Sequence, residues 1–576
     1  MAGALVAGLT ACSSSSSLVP GSQLVIGESY VASSINSDVA SSAASEAVNA
    51  EIANLTTASF YSVDSTGALA PNLDFGTVEV VSQKPFTVKY LLTDKAVFSD
   101  GQKVSAADLL LSWAAATNQG GANFRSARLG NGLSQTVGVP KIGDGNKSLT
   151  ITFSRPVADY KTAIKVAVPA HTLAQLAFAG DNLEASQADA RVVSAIQNLQ
   201  STDLAALAKA YRFGYQLKAD FKFTPQRAVA SGAYVITDAS SAGVTLKANS
   251  KNGAMAPARA ETVKLVFYSS ALSMVADLKA GKLDLATLAP SSTESNSSIA
   301  DALKAGGSSV SASLQATNTV EALVFNQNPG SSFAASSFGI ATKPAAIAKA
   351  LSARTAFMNL VSTSKVQTLV GATQTIQDAK SFVFEPSSSF YQATIQDSGV
   401  LAYQFADDQK AYNTIHKLGS RVAVRVLFDT DNPRAQIEYS VLAEKASQVG
   451  FGLENVGVSD PTPALVSGEY DVFLAPTQLI GSPTLSLEEA FGKNSPTAND
   501  TAVQGLLSEF ATATDAVSQA AALKKLDASL IASGYGLPLY QLPLTVASSK
   551  KLAKTPDLVG GSSLTAGYAT WNLAAK

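Results

Sequence analysis

Cysteine and histidine are almost missing from this sequence. Its 576 residues include one cysteine, Cys12, and two histidines, His171 and His416. A zinc site needs three or four Cys, His or carboxylate ligands. A Ser/His/Asp triad or a Cys/His dyad needs a histidine beside its nucleophile. We therefore expect no metal site, no cofactor and a protein that is not an enzyme. A single cysteine also excludes an internal disulfide.

Charge is also scarce, and its two signs nearly cancel. The chain has 42 Lys and Arg against 44 Asp and Glu, and charged residues make up 15% of it. No basic run is interleaved with aromatic residues, so we expect no nucleic-acid partner. No apolar run approaches the ~20 residues of a membrane span, so we expect the body of the protein to be soluble.

The amino-terminal segment holds the single cysteine. It reads Leu9-Thr10-Ala11-Cys12, followed by the serines 13–17. Small residues before a cysteine suit a signal peptidase, and polyserine remains flexible. The segment resembles a bacterial lipoprotein signal, in which the thiol takes a diacylglyceryl group, although no Lys or Arg precedes its short apolar stretch. We expect residues 1–21 to be signal and tether, with Cys12 lipidated; the alternative is a lone cysteine in a frayed terminus.

Patterns typical of strands and helices alternate along the rest of the chain. An apolar run such as 422–428 predicts a strand, and the helix predicted over 435–449 ends at Gly450. Asp144-Gly145-Asn146 predicts a hairpin between 137–142 and 149–153, and Pro140 places the first of these strands at a sheet edge. The alternation predicts α/β lobes with mainly parallel sheets.

One block combines a strand, a turn and a helix start. Phe86-Thr87-Val88-Lys89-Tyr90-Leu91-Leu92 is followed by Val97-Phe98-Ser99-Asp100-Gly101 and by Val104-Ser105-Ala106-Ala107-Asp108. Asp100-Gly101 is typical of a turn. We expect Ser105 to cap a helix that begins at Ala106, with Asp108 at its positive end.

This block resembles the extracellular solute-binding proteins of family 5, the oligopeptide- and dipeptide-type receptors of ABC importers. Their signature is a strand followed by F-S-D-G and T-A-x-D-V. Further stretches resemble family motifs in the family's order: Val168-Pro169-Ala170-His171, Ser231-Gly232-Ala233-Tyr234-Val235, Ala280-Gly281-Lys282-Leu283-Asp284, Phe325-Asn326, Arg354-Thr355-Ala356-Phe357, Gly468-Glu469-Tyr470-Asp471 and Leu537-Pro538-Leu539-Tyr540. The resemblance covers nearly the whole chain after the tether.

The resemblance implies an α/β, two-lobed fold like that of periplasmic binding proteins (type II, cluster C), with an extra subdomain inserted in lobe one. The boundaries it implies are 22–74, 221–316 and 541–576 for lobe one, 75–220 for the inserted subdomain and 317–540 for lobe two. The ligand is expected between the lobes, where hinge closure buries it.

The same resemblance implies the function. We expect a substrate-binding component that captures a small solute, a peptide or another polar molecule, and delivers it to ABC permease subunits. The protein would act as a monomer on the extracellular face of the membrane, anchored through Cys12. The alternative is a sensor or scaffold lipoprotein that is not coupled to transport. An exported hydrolase would need a nucleophile elbow with a histidine partner, and neither His171 nor His416 is a clear one.

Two residues of the peptide-binding members are missing here, and their loss bears on the ligand. Peptide-binding members hold the peptide amine with an aspartate that follows a tryptophan, after the strand that matches 470–474. Here the corresponding stretch 475–483 has neither residue. A buried ammonium without a counter-charge is costly, so we expect a neutral, hydrogen-bonded ligand. Thr477, Gln478 and Ser482 are candidates for its polar contacts; the alternative is an ordinary surface loop.

Three further residues are candidate ligand contacts. Asn326 ends a strand near the expected cleft, and its amide could hold either the ligand or the crossing backbone. Tyr30 and Phe384 could form aromatic walls, although single aromatic residues more often belong to a core. We expect Arg354 to brace the lobe interface, and His171 to be solvated at a helix end.

Overall fold

A computed structural model describes most of the chain after the serine-rich segment. The described residues are 18–39, 42–63, 69–128, 132–289, 294, 296–305, 309–371, 376–386, 388–419, 421–478, 484–492, 495, 497, 500–559 and 563–573. Cys12 and Ser482 lie outside them, so the predictions on these two residues are not addressed by the structure. Within these ranges, no helix is both long and apolar enough to cross a bilayer.

Strands and helices alternate in the described residues as the pattern predicts. The strands are β1 (Val19–Glu28), β2 (Tyr61–Val63), β3 (Leu69–Pro71), β4 (Gly76–Gln83), β5 (Phe86–Leu92), β6 (Lys141–Gly143), β7 (Ser148–Phe153), β8 (Tyr234–Ser240), β9 (Gly243–Ala248), β10 (Ala260–Phe267), β11 (Leu285–Leu288), β12 (Val310–Gln315), β13 (Thr319–Phe325), β14 (Val422–Phe428), β15 (Phe451–Asn455), β16 (Val472–Gln478), β17 (Gly536–Gln541) and β18 (Leu544–Ser549). The helices are α1 (Ala43–Thr56), α2 (Ala106–Ala116), α3 (Ala170–Ala177), α4 (Ala185–Gln197), α5 (Ser201–Phe213), α6 (Ala271–Lys279), α7 (Asn296–Lys304), α8 (Pro344–Leu360), α9 (Thr363–Gly371), α10 (Tyr391–Asp397), α11 (Asp408–Leu418), α12 (Pro433–Val449), α13 (Thr462–Ser467), α14 (Thr484–Phe491), α15 (Thr501–Thr512) and α16 (Ala516–Ala532).

Two large sheets form the cores of two lobes. Lobe one is built on a seven-stranded sheet in the order β12-β18-β11-β1-β10-β9-β8, and lobe two on a five-stranded sheet in the order β15-β14-β16-β13-β17. Alternate residues of β1 are buried on opposite faces of its sheet: Leu24 and Ile26 pack on one face and Val25 on the other. A strand buried on both faces is typical of the centre of an α/β sheet.

A smaller sheet belongs to a third unit, the inserted subdomain. Its order is β4-β5-β7-β6, and α2, α3, α4 and α5 pack in the same hydrophobic core. The hairpin predicted at 144–146 is confirmed, since β6 and β7 pair antiparallel across it, and β6 is an edge strand as Pro140 indicates. The predicted cap is also confirmed. Ala107 N donates to Ser105 Oγ (3.2 Å), and Ser105 N donates to Asp108 Oδ2 (2.8 Å).

The prediction of mainly parallel sheets is wrong. Among the described strands, only β1–β10 and β1–β11 pair parallel in lobe one, and only β14–β15 and β14–β16 in lobe two. The antiparallel pairs include those made by β12 with β18 and by β13 with β17. The chain leaves lobe one after β12 and returns to it at β18, so the outgoing and returning strands run in opposite directions in both sheets.

Candidate functional site

Two short crossing segments connect the lobes, residues 316–318 and 542–543. They hold each other directly, because Thr317 Oγ1 donates to Leu542 O (2.5 Å) and Leu542 N donates to Thr319 O (3.1 Å). Directly before the second segment, Gln541 exchanges two backbone hydrogen bonds, of 3.1 and 2.7 Å, with Gln377. The inserted subdomain also contacts lobe two, because Ala158 N donates to Ala511 O (2.9 Å) and Gln519 Nε2 donates to Ala158 O (3.3 Å). Two adjacent crossing segments are typical of a hinge.

Both sheets turn the carboxyl ends of their parallel strands toward this hinge. In lobe one the last residue of β11, Leu288, pairs with Thr545 at the start of β18. In lobe two the last residue of β16, Gln478, pairs with Thr319 at the start of β13. Ligands of open α/β sheets bind beyond the carboxyl ends of the strands. The candidate site is therefore the space between these two sheet edges.

The edge of lobe one carries Tyr30. The side chain follows β1 and is 50% exposed. The turn before it is fixed by Ser29, whose Oγ donates to Thr287 O (3.0 Å) and accepts from Ala289 N (3.4 Å). A half-exposed aromatic ring on a fixed turn is available to contact a solute beyond this edge.

The edge of lobe two carries Thr477 and Gln478. The strand predicted to end at Leu474 continues to Gln478, so Thr477 and Gln478 belong to β16 and not to a loop. Thr477 is half-buried and pairs with Val320. Proline is tolerated at position 476 because β14 ends opposite Leu474, which leaves one side of β16 without a neighbouring strand there. The side chain of Gln478 lies outside the described part of the chain.

Asn326 and Phe384 are not at this edge. Asn326 lies at the other end of β13, roughly 20 Å from Thr319 along the strand. Its Nδ2 donates to Gly468 O (3.2 Å) and Tyr470 O (2.9 Å), so the amide holds a turn within lobe two and not the crossing backbone. Phe384 is 6% exposed and belongs to the core of lobe two.

Two other expectations are corrected by burial. Arg354 donates to Phe333 O (2.8 Å) and Ser533 O (2.9 Å), and both acceptors belong to lobe two, so it does not brace the lobe interface. Burial lowers the pKa of Arg354 to about 10. His171 is 3% exposed and its Nε2 lies 2.8 Å from Asp100 Oδ2. It is buried because α3 packs against the turn that Asp100 begins.

A charged group directly behind the edge of lobe two was not predicted from the sequence. We call Glu321, Arg434, Glu438 and Tyr540 the Glu438 cluster. Glu321 of β13 pairs with Pro476 of β16, the neighbour of Thr477. Arg434 Nη2 lies 3.5 Å from Glu321 Oε2, and Tyr540 OH donates to Glu438 Oε1. A glutamate inside the apolar run 320–325 was the signal that could have identified it.

Donors and acceptors of the Glu438 cluster are both incompletely used, since Arg434 Nε has no hydrogen-bond partner among the described residues. Among the described residues, Glu321 Oε1 and Glu438 Oε2 have no hydrogen-bond partner. Burial, followed by the charge of Glu321, raises the pKa of Glu438 well above its usual value. Burial also raises the pKa of Glu321, although Arg434 opposes this effect. Arg434 is the most accessible member, with its side chain 18% exposed, and it begins α12 just after the carboxyl end of β14.

A second buried carboxylate, in the loop between β1 and α1, has the opposite environment. We call Asp38, Ser126, Arg128 and Tyr211 the Asp38 cluster. Asp38 accepts from Arg128 Nε (2.7 Å) and Nη2 (3.1 Å), from Ser126 Oγ (2.6 Å) and from Tyr211 OH (2.5 Å). Burial alone would raise the pKa of Asp38, but the charge and hydrogen bonds of Arg128 hold it below its usual value. This cluster joins the inserted subdomain to lobe one.

One group in the subdomain has the composition of a metal site. Within the described ranges, Asp108, His171 and Asp189 are the only such group, with ligand atoms within 4.8 Å of one another. Both carboxylate oxygens of Asp108 already accept backbone N–H groups, from Ser105 (2.8 Å) and Ala170 (2.7 Å). Burial, followed by the charge of Asp108, raises the pKa of Asp189 to about 7. These contacts describe a capping network shared by α2 and α3.

Comparison with known proteins supports the same architecture. Residues 69–498 match bacterial extracellular solute-binding proteins, family 5 Middle. The periplasmic EDTA-binding protein EppA has the same fold, with a TM-score of 0.73, 16% identity and coverage of 99% of this chain and 100% of that one. The oligopeptide-binding protein AppA from Bacillus subtilis, solved with a nonapeptide, gives a TM-score of 0.63 at 12% identity, over 96% of this chain and 99% of that one.

The curated relatives match over much shorter stretches. An uncharacterized lipoprotein of Mycobacterium tuberculosis is 39% identical over 80 residues, which is 14% of this chain and 14% of the relative. The family match covers more than half of the chain, and the cluster C two-lobed fold predicted from the sequence is confirmed over nearly all of it. The chain therefore belongs to the bacterial extracellular solute-binding proteins of family 5, a family of binding proteins and not of enzymes.

Proposed function

We propose that this protein captures a polar solute between the carboxyl edges of its two sheets and delivers it to an ABC permease. The observation that carries this proposal is the geometry of the hinge: two short segments separate two sheet edges that face the same space. Closure about such a hinge buries a ligand and is favoured only if the ligand binds the closed state better than the open one.

The polar groups at the edge of lobe two favour a neutral solute with oxygen acceptors. Thr477 supplies a neutral hydroxyl at this edge, Gln478 follows it in the sequence, and Arg434 supplies a guanidinium that is already beside Glu321. The stretch 475–483 has no aspartate to neutralise a peptide amine. Tyr30 would cover the apolar part of the solute from lobe one. Solved relatives of the same fold include an EDTA-binding protein and a peptide-binding protein, so the fold accepts very different ligands.

Thermal melting of the full chain against short peptides, sugars, amines and metal chelates tests the proposal. A ligand at 100 times its dissociation constant stabilises the native state by ~2.7 kcal/mol, enough for a visible shift. We expect a neutral solute to raise the melting temperature and peptides to leave it unchanged. A shift with peptides alone would contradict the neutral ligand, and no shift with any solute class would contradict solute capture.

Gln478→Ala tests the edge of lobe two with the solute that stabilises most. We expect weaker binding and little change in the melting temperature without solute, because a polar substitution at the last residue of a strand costs about 0.5 kcal/mol or less. Gln409→Ala, at an exposed position of α11, is the matched control and should bind as the unaltered protein does. Equal affinity of the two variants would remove Gln478 from the site.

We also propose that the protein is anchored by lipid on Cys12, at the extracellular face of the membrane. The mycobacterial relatives are named lipoproteins, and the family is extracellular. Cys12→Ser should move the protein from the membrane fraction to the soluble fraction without changing solute binding, whereas Ser14→Ala should leave it in membranes. A Cys12→Ser variant that still sediments with membranes would contradict the anchor.

The domain boundaries predicted from the sequence stay part of this proposal. Lobe one would comprise 22–74, 221–316 and 541–576, the subdomain 75–220, and lobe two 317–540. The membership of the seven-stranded and five-stranded sheets supports this division. We further propose that the protein acts as a monomer, since a single hinge and a single pair of edges suffice for capture.

A further inference from the structure

Lobe one contains a second cavity, away from the hinge. We call it the α1 cavity: it is bounded by Ala50, Ala53 and Asn54 of α1, by Val559, and by residues within 57–62, 69–74, 161–165, 254–257 and 563–569. Its volume is about 840 Å³, within the range of small-molecule sites. Its lining residues come from lobe one and the inserted subdomain, and none comes from the described part of lobe two.

The α1 cavity lies at the opposite edge of the seven-stranded sheet from the hinge. Gly232 N donates to Thr56 O (2.8 Å) at the carboxyl end of α1, close to the start of β8. The stretch 254–257 leads into β10, whose first residue, Ala260, pairs with Val19 at the start of β1. β1 is ten residues long, so roughly 30 Å separates this edge from Tyr30. A ligand in the cavity would not touch the site between the lobes.

The charges around the α1 cavity are mostly positive. Lys161 and Lys165 line it, and neither has a carboxylate within salt-bridge distance among the described residues. Asp74 is the single acidic residue in the described lining, and it is neutralised by Lys95 at 2.6 Å. Burial, followed by the charge of Arg128, lowers the pKa of Lys165, and the charges of Asp38 and Glu46 oppose this effect. A bound anion would add a counter-charge beside two half-buried ammonium groups.

The remaining lining can hold an apolar group. Tyr61 stands beside Lys161, whose Nζ lies 5.8 Å from the ring centre, and Ala50 and Ala53 present small side chains one turn apart. Asn54 adds a polar contact, and its Nδ2 donates to Ser563 Oγ (3.0 Å). Charged groups at one wall and aromatic and aliphatic groups at another are typical of a site for an amphiphilic molecule.

We propose that the α1 cavity binds a small organic anion, with its carboxylate held by Lys161 and Lys165 and its apolar body against α1 and Tyr61. The site is independent of solute capture between the lobes. Hexanoate is a suitable probe, and hexanamide, of nearly the same shape but without charge, is its matched control.

The reactivity of the thiol in Ala50→Cys reports the electrostatic potential of the α1 cavity and whether the cavity is occupied. The chain has a single cysteine, so Cys12→Ser combined with Ala50→Cys leaves one reactive thiol. We expect the anionic reagent 2-sulfonatoethyl methanethiosulfonate to react at least about tenfold faster than its trimethylammonium counterpart, since local potential changes encounter rates by factors of 10 to 10³. The rates at Val466→Cys, which is 85% exposed in lobe two, normalise the two reagents.

Hexanoate should protect Ala50→Cys from both reagents, and hexanamide should not. Lys161→Met and Lys165→Met should each reduce the preference of the thiol for the anionic reagent. The double variant should abolish both this preference and the protection by hexanoate. Thr477→Ala, at the edge of lobe two, should leave protection unchanged. Three results would each overturn the proposal. The two reagents could react at equal rates, hexanoate could fail to protect the thiol, or protection could be lost in Thr477→Ala and kept in the lysine variants.

Discussion

The Asp38 cluster and the Glu438 cluster use the same kinds of residues with opposite results. Each buries a carboxylate beside an arginine and a tyrosine. Asp38 is 4% exposed and receives four donated hydrogen bonds, two of them from Arg128. Glu438 is 1% exposed and receives one, from Tyr540. The arginine of its cluster lies nearest to the other carboxylate, Glu321.

The difference follows from position. The Asp38 cluster joins the inserted subdomain to lobe one, where a fixed charge pair with all its hydrogen bonds made holds two units in one arrangement. The Glu438 cluster lies behind the sheet edge that faces the hinge, and two of its carboxylate oxygens have no partner among the described residues. Both carboxylate oxygens of Asp38 accept hydrogen bonds, whereas the unpartnered oxygens of the Glu438 cluster lie behind the edge where we propose that a solute binds.

Arg128→Met, which disrupts the Asp38 cluster, should cause the largest loss in the free energy of unfolding. It would leave Asp38 buried without its counter-charge, and loss of one partner of a buried ion pair costs about 3–5 kcal/mol. Arg434→Met should cost less, about 1 kcal/mol, because Glu321 and Glu438 can take up protons instead. Denaturant unfolding of both variants at neutral pH measures the contrast. A larger loss in Arg434→Met would reverse our assignment of the two clusters.

Glu438→Gln should distinguish the two clusters by the pH dependence of stability. The pKa of Glu438 is raised in the folded protein, so its stabilising contribution is complete below the unfolded value near 4.5 and is lost as pH rises through the folded pKa. Each tenfold change in the protonation equilibrium corresponds to about 1.4 kcal/mol of folding free energy. Melting curves between pH 4.5 and 8 should therefore be flatter for Glu438→Gln than for the unaltered protein.

Asp38 provides the control for that experiment. Its pKa is lowered, so its contribution is present above the unfolded value of about 3.8 and is lost as pH falls through the folded pKa. Its effect should thus be confined to acid, below the range in which Glu438→Gln acts. Identical pH profiles for Glu438→Gln and the unaltered protein would show that Glu438 is not protonated on folding.

Asn326→Ala extends the contrast to the two ends of β13. The amide of Asn326 satisfies Gly468 O and Tyr470 O inside lobe two, so its removal should lower the free energy of unfolding by about 1–3 kcal/mol. Solute affinity should not change. Calorimetric titration of this variant with the stabilising solute checks the second point, and a loss of affinity without a loss of stability would return Asn326 to the site.

Thr477→Ala, at the opposite end, should have the smallest effect on stability and a measurable effect on binding. The side chain is half-buried at the edge of the sheet, and a substitution there changes folding by about 0.5 kcal/mol or less. Affinity for the stabilising solute should fall. Thr477→Ser, which keeps the hydroxyl, is the matched variant and should retain most of the affinity; equal losses in both would point to shape and not to hydrogen bonding.

Local features of this fold could be predicted from the sequence, and long-range ones could not. The Ser105 cap depends on four consecutive residues, and the hairpin at 144–146 on two adjacent strands, so both predictions are confirmed. The location of Asn326 depends on which end of β16 lies beside it, and its partners are 142 and 144 residues away. Burial of His171 depends on Asp100, 71 residues earlier.

The Glu438 cluster shows the same limit for the candidate site. Glu321 and Arg434 are 113 residues apart and meet only because β13, β16 and β14 are neighbours in one sheet. The family resemblance predicted the edge that carries Thr477 but not the charges behind it. The position of an arginine in the first turn of α12 relative to that edge cannot be inferred until the sheet order is known. Pairing between distant strands, and not local propensity, decides which polar groups face the hinge.

The distance between the lobes in the presence of solute tests the central claim most directly. Leu272 and Val458 are exposed, lie beyond the carboxyl edges of the two sheets, and are far from the strands that cross. Spin labels on Leu272→Cys and Val458→Cys, in the Cys12→Ser background, report the opening of the cleft. We predict a shorter and narrower distance distribution with the solute that raises the melting temperature. An unchanged distribution with that solute would contradict capture by closure of the two lobes.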